Sequence, residues 1–498
     1  MADVPAIETV HLVFKTHLDL GFTDLAHSVA DRYVREFFPR ALATAAELRR
    51  RGGPERFVWT TGSWLVYEFL ERARAPMRRL MEEAIAAGDI AWHALPFTTH
   101  SELMDESLFA FGLSLSQELD RRFGRRTIAA KMTDVPGHTR GIVPLLAQAG
   151  VEFLHIGVNA ASTPPDVPPL FLWRDPSGAE VAVMYQRGGY GDVLPAPGLA
   201  SALAFAHTGD NQGPQEADEV LAEFARLRAR FPGAQVSAST MDAFASALRT
   251  VRGQLPVVTG EIGDTWIHGV GSDPLKVSRF RELSRLRREW LEARGVAPER
   301  LARFSRALLL VPEHTWGLDE KTHLADYTSY SAEQLRAART TERFRAFESS
   351  WAEQRAYLDE AVAALDEELA QEARARLADT APARPDLARY ERCGGPRVRQ
   401  ALARGALDLA RLAELAGGRL ALPGTLTVTF GYQTFSQADY DRFRAQYNVN
   451  KRETWKWAVP DYTKPGIAAA GAVSRWWWPQ AVGLYRREDA GGLRALVS

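Results

Sequence analysis

His17 and Asp19 are the first residues of this chain whose types and spacing could do chemistry. They follow Thr9-Val10-His11-Leu12-Val13-Phe14, an apolar run with β-branched residues that reads as a buried strand. Alternation along a strand puts His17 and Asp19 on one face at its C-terminal end. An imidazole and a carboxylate so placed can share a divalent cation, or satisfy each other by local hydrogen bonds. Gly21 allows a sharp turn, which brings Phe22 beside such a cation.

Four later stretches carry comparable groups. Thr133-Asp134-Val135-Pro136-Gly137-His138-Thr139 follows a predicted strand. Asp134 there is a pocket carboxylate or a helix N-cap, and His138 a pocket residue or a cap. His207-Thr208-Gly209-Asp210-Asn211-Gln212-Gly213-Pro214 offers Asp210, although Gly, Asp and Asn are also ordinary turn residues. Val311-Pro312-Glu313-His314-Thr315-Trp316-Gly317 holds His314, either a packed core histidine or a third side chain on a metal bound by His17 and Asp19. Gly260 to Gly269 contains Trp266 and His268.

Strands and helices must position these groups. Strands are predicted at 9–14, 57–61, 90–95, 128–133 and 153–158, separated by amphipathic helices at 28–51, 63–87, 105–123 and 140–149. A hairpin follows at 171–184, then strands at 203–206, 235–239 and 256–259. Such alternation argues βαβ units and a parallel sheet, and the number of units in series favours a barrel over a short open sheet. From Pro274 long charged helices read as a bundle, Thr380 to Pro385 as a linker, and the remainder as an aromatic-rich tail containing Trp476-Trp477-Trp478. The predicted domains are 1–273, 274–379 and 380–498.

Composition narrows the function. The chain has 498 residues, 46% hydrophobic and 25% charged, as in a globular protein. A net charge of −1 gives no basic footprint for nucleic acid. Cys393 is the only cysteine, which excludes an intramolecular disulfide and a multi-cysteine metal site. Asp3, Glu8, His11 and Lys15 interrupt any signal-like apolar run, and no run approaches the roughly 20 residues of a membrane span. The expectation is a cytoplasmic protein with no membrane and no nucleic-acid partner. Oligomeric state is open, a homo-oligomer included.

At these motifs the chain resembles glycoside hydrolase family 38, the zinc-dependent α-mannosidases, as a divergent relative. The family's His-x-Asp-x-Gly-aromatic motif is matched by His17, Asp19, Gly21 and Phe22. Its Asp-Pro-Phe-Gly-His-Ser motif is similar to 133–139, which places the zinc ligand and nucleophile on Asp134. Its Gly-Asp-rich loop resembles 209–214 and puts the acid/base role on Asp210. Its last zinc ligand, a His after a Leu-rich helix, corresponds to His314 behind Leu308-Leu309-Leu310. The resemblance implies an irregular seven-stranded β/α barrel, a helical bundle and a short β-containing C-terminal region. It implies one zinc ion on His17, Asp19, Asp134 and His314, a carbohydrate substrate, and retaining hydrolysis by Asp134 and Asp210. Phe22, His138, Trp266, His268 and Trp316 would line the sugar site, and under the resemblance His268 is a competing metal candidate ranked below His314. The chain departs from the family at Phe22, where Trp is usual, and at Ser107–Phe111 and Val158-Asn159, which lack the family's arginines. A metal-dependent carbohydrate deacetylase and a non-catalytic carbohydrate-binding protein are the alternatives.

Overall fold

The structure is a computed structural model. It describes residues 6–135, 138–159, 162–263, 270–380, 384–403, 407–418, 427–429, 431–447, 460, 463–478, 480–489 and 492–497. The chain divides into two compact units. The first comprises 1–326 and 336–380, with 447–457. The second comprises 327–335, 381–446 and 458–498.

Eleven strands among the described residues of the first unit make two sheets. They are β1 (Thr9–His17), β2 (Trp59–Gly62), β3 (Ile90–His93), β4 (Ala129–Asp134), β5 (Phe153–Val158), β6 (Leu170–Arg174), β7 (Glu180–Gln186), β8 (Leu194–Pro195), β9 (Ser201–Asp210), β10 (Gln235–Ala238) and β11 (Val257–Val258). One sheet runs β3-β2-β1-β9-β8, with β10 also on β1; the other runs β11-β6-β7-β5-β4. All pairings are parallel except β6 with β7 and β8 with β9. The Ala94 N–H donates to the Ala129 carbonyl at 2.9 Å, so the sheets meet beside β3 and β4. This is the α/β architecture that the alternation predicts.

Two predicted elements differ. The helix expected over 63–87 is two helices, Ser63–Arg72 and Ala75–Ala87. Pro76 explains the break: in one continuous helix it would leave the Arg72 carbonyl without an N–H and clash with it, whereas the first turn of a new helix tolerates it. The strand expected over 203–206 extends from Ser201 to Asp210. Thr208 pairs with Thr16 and Asp210 with His17, and one extra residue, Gly209, shifts the register between them. That is a β-bulge, and it makes Asp210 a strand-end residue rather than a loop residue.

Alternation layers the buried face of these strands. Val13, Ala129, Phe153 and Leu203 form an apolar floor. Two residues onward come Lys15, Lys131, His155 and Phe205; two further come His17, Thr133 and His207. Charged and polar groups therefore concentrate toward the C-terminal ends of the strands.

Helices Pro274–Arg288, Ala302–Leu309, Glu342–Ala363 and Glu367–Thr380 pack in the same unit. Phe280, Trp290, Phe304, Leu308 and Leu358 join the apolar cluster that contains Phe14 and Trp59. The second unit has a three-stranded antiparallel sheet of Glu391–Cys393, Leu484–Asp489 and Gly492–Val497 over a small core of Val398, Leu402, Leu412 and Leu484. Trp476 and Trp478 are half-exposed and stacked on each other there.

Asp242 shows how the floor is tied to a helix. Its Oδ1 accepts the Ile128 and Ala129 N–H groups at 2.7 and 2.9 Å. Burial pushes its carboxyl up to about 6, against the opposing pull of those two hydrogen bonds. A carboxyl raised in the folded state binds more protons folded than unfolded, so it costs stability as pH rises through about 6. Asp242→Asn keeps an acceptor and removes the charge. It is expected to add about 1–2 kcal/mol at pH 8 and little at pH 4, checked by denaturant unfolding at both.

Candidate metal centre and catalytic pocket

β1 ends at His17, and the chain then turns through Asp19 and Gly21, whose φ is +112°. His314 reaches the same place from the helical region. Helix Ala302–Leu309 buries Phe304, Leu308 and Leu309 and ends in a turn. The next residues pair with the chain after β3: Thr99 bridges Glu313, the His100 N–H donates to the Pro312 carbonyl at 2.8 Å, and the His314 N–H to the Thr98 carbonyl at 3.3 Å.

Three donor atoms converge. His17 Nε2 lies 2.8 Å from Asp19 Oδ1 and 3.2 Å from His314 Nε2, and His314 Nε2 is 3.1 Å from Asp19 Oδ1. All three residues are buried. Asp134 Oδ2 stands 3.6 Å from His314 Nε2. Each imidazole is held by its other nitrogen. His17 Nδ1 is 2.7 Å from the Thr133 hydroxyl, and His314 Nδ1 is 2.7 Å from Glu313 Oε1. Both Nε2 atoms are thereby directed at one point, the arrangement by which neighbouring groups fix metal-binding histidines.

This set fits a divalent cation. Donors at 2.0–2.2 Å from a tetrahedral ion stand roughly 3.3–3.6 Å apart, within a few tenths of an ångström of the spacings here. The electrostatics agree. Burial opposes charge on His314, yet the Glu313 and Asp19 carboxylates raise its pKa well above the imidazole range. Burial likewise pushes Asp19 up, but His17 and His314 outweigh it and hold the carboxyl well below its usual range. The point between them favours positive charge, which a proton or a cation can supply.

Asp134 ends β4 with φ of +74°, a backbone conformation uncommon for residues other than glycine. It caps no helix. Its Oδ1 accepts from Asn159 Nδ2 at 2.8 Å and from the Tyr190 hydroxyl at 3.1 Å. Asn159 stands where the resemblance placed a missing arginine, and it meets Asp134 with a neutral amide instead. The bulge brings Asp210 level with His17, and Asp210 Oδ1 lies 3.0 Å from the same Tyr190 hydroxyl. Burial raises the Asp210 carboxyl, and Asp19 and Asp134 add to the rise. One hydroxyl has one proton, so it cannot donate to both carboxylates at once. A protonated Asp210 donating to Tyr190, and Tyr190 donating to Asp134, satisfies both contacts.

Tyr190 carries no motif beyond the glycines of Gly188-Gly189-Tyr190-Gly191, and Glu313, although inside the 311–317 stretch, is not singled out by the sequence. Glu313 is 1% exposed, and beyond His314 it accepts the Thr315 N–H at 3.0 Å and lies 2.5 Å from the Thr315 hydroxyl. Asn211, with φ of +51°, clasps the turn after β1: its amide donates to the Asp19 carbonyl and to Thr23 Oγ1, and its oxygen accepts the Asp19 N–H.

The remaining candidates fall outside this cluster. His138 is fully buried with Nδ1 3.4 Å from Ser101 Oγ, and burial lowers its pKa to about 3. The next helix begins at Ile142 without a side-chain cap, so His138 is not its cap. Phe22 lies under Lys321, whose Nζ is 5.7 Å from the ring centroid, and Trp316 under Lys276 at 3.6 Å. Trp266 and His268 lie outside the described residues.

Gly157 keeps Tyr190 in place. A Cβ there would stand 2.4 Å from the Tyr190 carbonyl oxygen. Gly157→Ala is expected to push the 188–191 segment away and break the Tyr190 contacts, while any metal held by His17, Asp19 and His314 is expected to stay bound. Turnover and bound zinc, measured on one preparation, check this; loss of both together would count against it.

Residues 270–496 match a family model described as a domain of unknown function, DUF5054. Comparison with curated protein sequences finds no match. Among solved structures, the chain is similar to an alpha-mannosidase from Enterococcus faecalis V583, at 14% identity and TM-score 0.53 over 75% of this chain and 43% of that one. A glycosyl hydrolase family 38 protein from Enterococcus faecalis matches at 14% identity and TM-score 0.44 over 72% and 40%. A GH57-type branching enzyme from Pyrococcus horikoshii matches at 14% and 0.41 over 76% and 97%. The chain thus spans less than half the length of the alpha-mannosidase whose fold it shares.

Proposed function

We propose that the chain is a metal-dependent retaining glycoside hydrolase, α-mannosidase-like, acting on a carbohydrate. The observation that carries this reading is Tyr190. Its hydroxyl touches Asp134 Oδ1 at 3.1 Å and Asp210 Oδ1 at 3.0 Å, so those oxygens stand at most about 6 Å apart. Retaining enzymes hold their carboxyl pair at about 5–5.5 Å, inverting ones at about 6.5–9.5 Å.

In this reading Asp134 attacks the anomeric carbon and forms a glycosyl-enzyme, while Asp210 gives its proton to the leaving oxygen. Asp210 then takes a proton from water, which displaces Asp134 with net retention. Tyr190 and Asn159 orient Asp134. His17, Asp19, Asp134 and His314 would hold one zinc ion, which supplies binding and polarisation of sugar hydroxyls. Phe22, His138, Trp266, His268 and Trp316 are proposed to line the sugar site. The two sheets are proposed to form an irregular seven-stranded barrel over 1–273, supported by the Ala94–Ala129 hydrogen bond. The bundle at 274–379 lends His314, and 380–498 forms a separate region. No helix among the described residues is long and apolar enough to cross a membrane; a cytoplasmic location is proposed as compatible with a single cysteine.

The purified chain is expected to hold about one zinc, and chelation to lower its melting temperature, since the metal joins β1 to the segment after the bundle helix. Elemental analysis finding no divalent metal after growth with zinc would overturn the metal assignment. Aryl glycosides assayed with and without chelator, and a 2-fluoro glycoside trapped on Asp134 by mass spectrometry, test the reaction. Release of acetate from acetylated sugars with no glycoside turnover would favour the deacetylase.

A further inference from the structure

Tyr190 links Asp134 to Asp210, yet it belongs to no strand or helix. It lies between β7 and β8 in a run with glycine at 188, 189 and 191, which gives the backbone little stiffness of its own. Something outside the segment must hold it.

Three side chains on neighbouring strands do so. Lys131 on β4 is the register partner of His155 on β5, and Gln186 ends β7 on the other side of β5. Lys131 Nζ donates to the Tyr190 carbonyl at 2.5 Å and lies 2.8 Å from His155 Nδ1. His155 Nε2 is 2.6 Å from Gln186 Oε1, and the same oxygen accepts the Asp192 N–H at 3.2 Å. One arrangement of protons satisfies all four contacts. An amide oxygen only accepts, so His155 Nε2 carries the ring proton and donates, and Nδ1 accepts from Lys131. This uses two N–H groups of the Lys131 amine, and its neutral and protonated forms both have two. The chain therefore closes whatever the charge on Lys131. It begins at the Tyr190 carbonyl and ends at the Asp192 N–H, so it pins the backbone on both sides of Gly191. Gly157, opposite Gln186, leaves open the place that the Tyr190 carbonyl fills. From there the Tyr190 ring passes His17 and His207, with centroids 4.5 and 5.5 Å away, and its hydroxyl reaches both carboxylates.

We propose that Lys131, His155 and Gln186 are positioning residues that act through the backbone of 190–192 to set the Tyr190 hydroxyl between Asp134 and Asp210. They touch the 190–192 segment from one layer of the sheet, below the reacting groups. Their bearing on turnover rests on the reading of Asp134 and Asp210 as the reacting pair; the hydrogen-bonded chain does not.

Two variants test this in the full-length protein. Lys131→Met keeps the length of the side chain and removes its donors. Gln186→Met, at a half-buried position, removes the acceptor. Hydrogen exchange read by mass spectrometry should show 188–192 exchanging on the order of tenfold faster in both, the effect of one lost hydrogen bond, with β1 and β4 unchanged. At the zinc content of the wild type, kcat on an aryl glycoside is expected to fall on the order of 10- to 100-fold with KM little changed, the usual consequence of misplacing reacting groups by an ångström. Gln186→Glu keeps an acceptor oxygen and should restore slow exchange. Unchanged exchange at 188–192 in both methionine variants would overturn the proposal, and so would a loosened segment with unchanged kcat. A wild type with no glycoside turnover would instead sink the reaction assigned above. Exchange, and a Tyr190–Asp134 contact lengthened beyond 3.1 Å in a crystal of Gln186→Met, would then decide the positioning. Should Lys131→Met fail to fold, Gln186→Met decides alone.

Discussion

Replacing Asp210 by alanine is expected to leave zinc bound and to slow turnover of an alkyl or nitrophenyl glycoside by about 100- to 10,000-fold, the usual contribution of general acid catalysis. The reason is position. Asp210 meets Tyr190 rather than the convergence point of His17, Asp19 and His314. The loss should shrink for dinitrophenyl glycosides, whose leaving group needs no proton, and added azide should restore the second step. Asp134→Ala behaves differently, losing both metal affinity and rate, because Asp134 faces His314 as well as Tyr190. Equal losses at Asp210 for good and poor leaving groups would count against it as the acid. Lower stability with an unchanged rate per folded molecule would return it to a structural turn.

The second large effect is expected at Glu313, which touches no substrate. Its Oε1 fixes His314 by Nδ1, and its Oε2 is held by Thr315. Glu313→Gln preserves volume, removes the carboxylate, and turns an amide N–H₂ toward donors. Such partners of metal-binding histidines typically contribute 10- to 100-fold in metal affinity, about 1.4–2.7 kcal/mol. Competition with a chromophoric chelator reads the loss, and excess zinc should return the melting temperature toward that of the wild type. Unchanged zinc affinity would place Glu313 outside the metal's support.

His17 and Asp19 are legible in the sequence because they lie within three residues at one strand's end, although β1 stops at His17 and the turn beyond it, not alternation, brings Asp19 to His17. Strand–helix alternation likewise announces the parallel sheets. What the sequence conceals depends on register and on distant pairings. Nothing near Glu313 in the chain says that Thr99 will bridge it and turn His314 toward β1. Tyr190 lies in a glycine-rich stretch without periodicity, and its role appears only once Asp134 and Asp210 are side by side. Lys15 and Lys131 carry no motif, and only the layering of the strands places both inside. Pro76 was visible from the start; its power to split a helix outweighs the amphipathic pattern around it.

Gly209 has a bearing on how such a pocket is assembled. Were Gly209 paired in regular register instead of bulged, it would take the inward place beside His17 and Asp210 would turn outward. A one-residue slip of β9 on β1 that lost the bulge would leave His17, Asp19 and His314 together and turn Asp210 out of phase with them. A strand of this kind can present or withdraw an acid by register alone, with no change in the side chains it encodes.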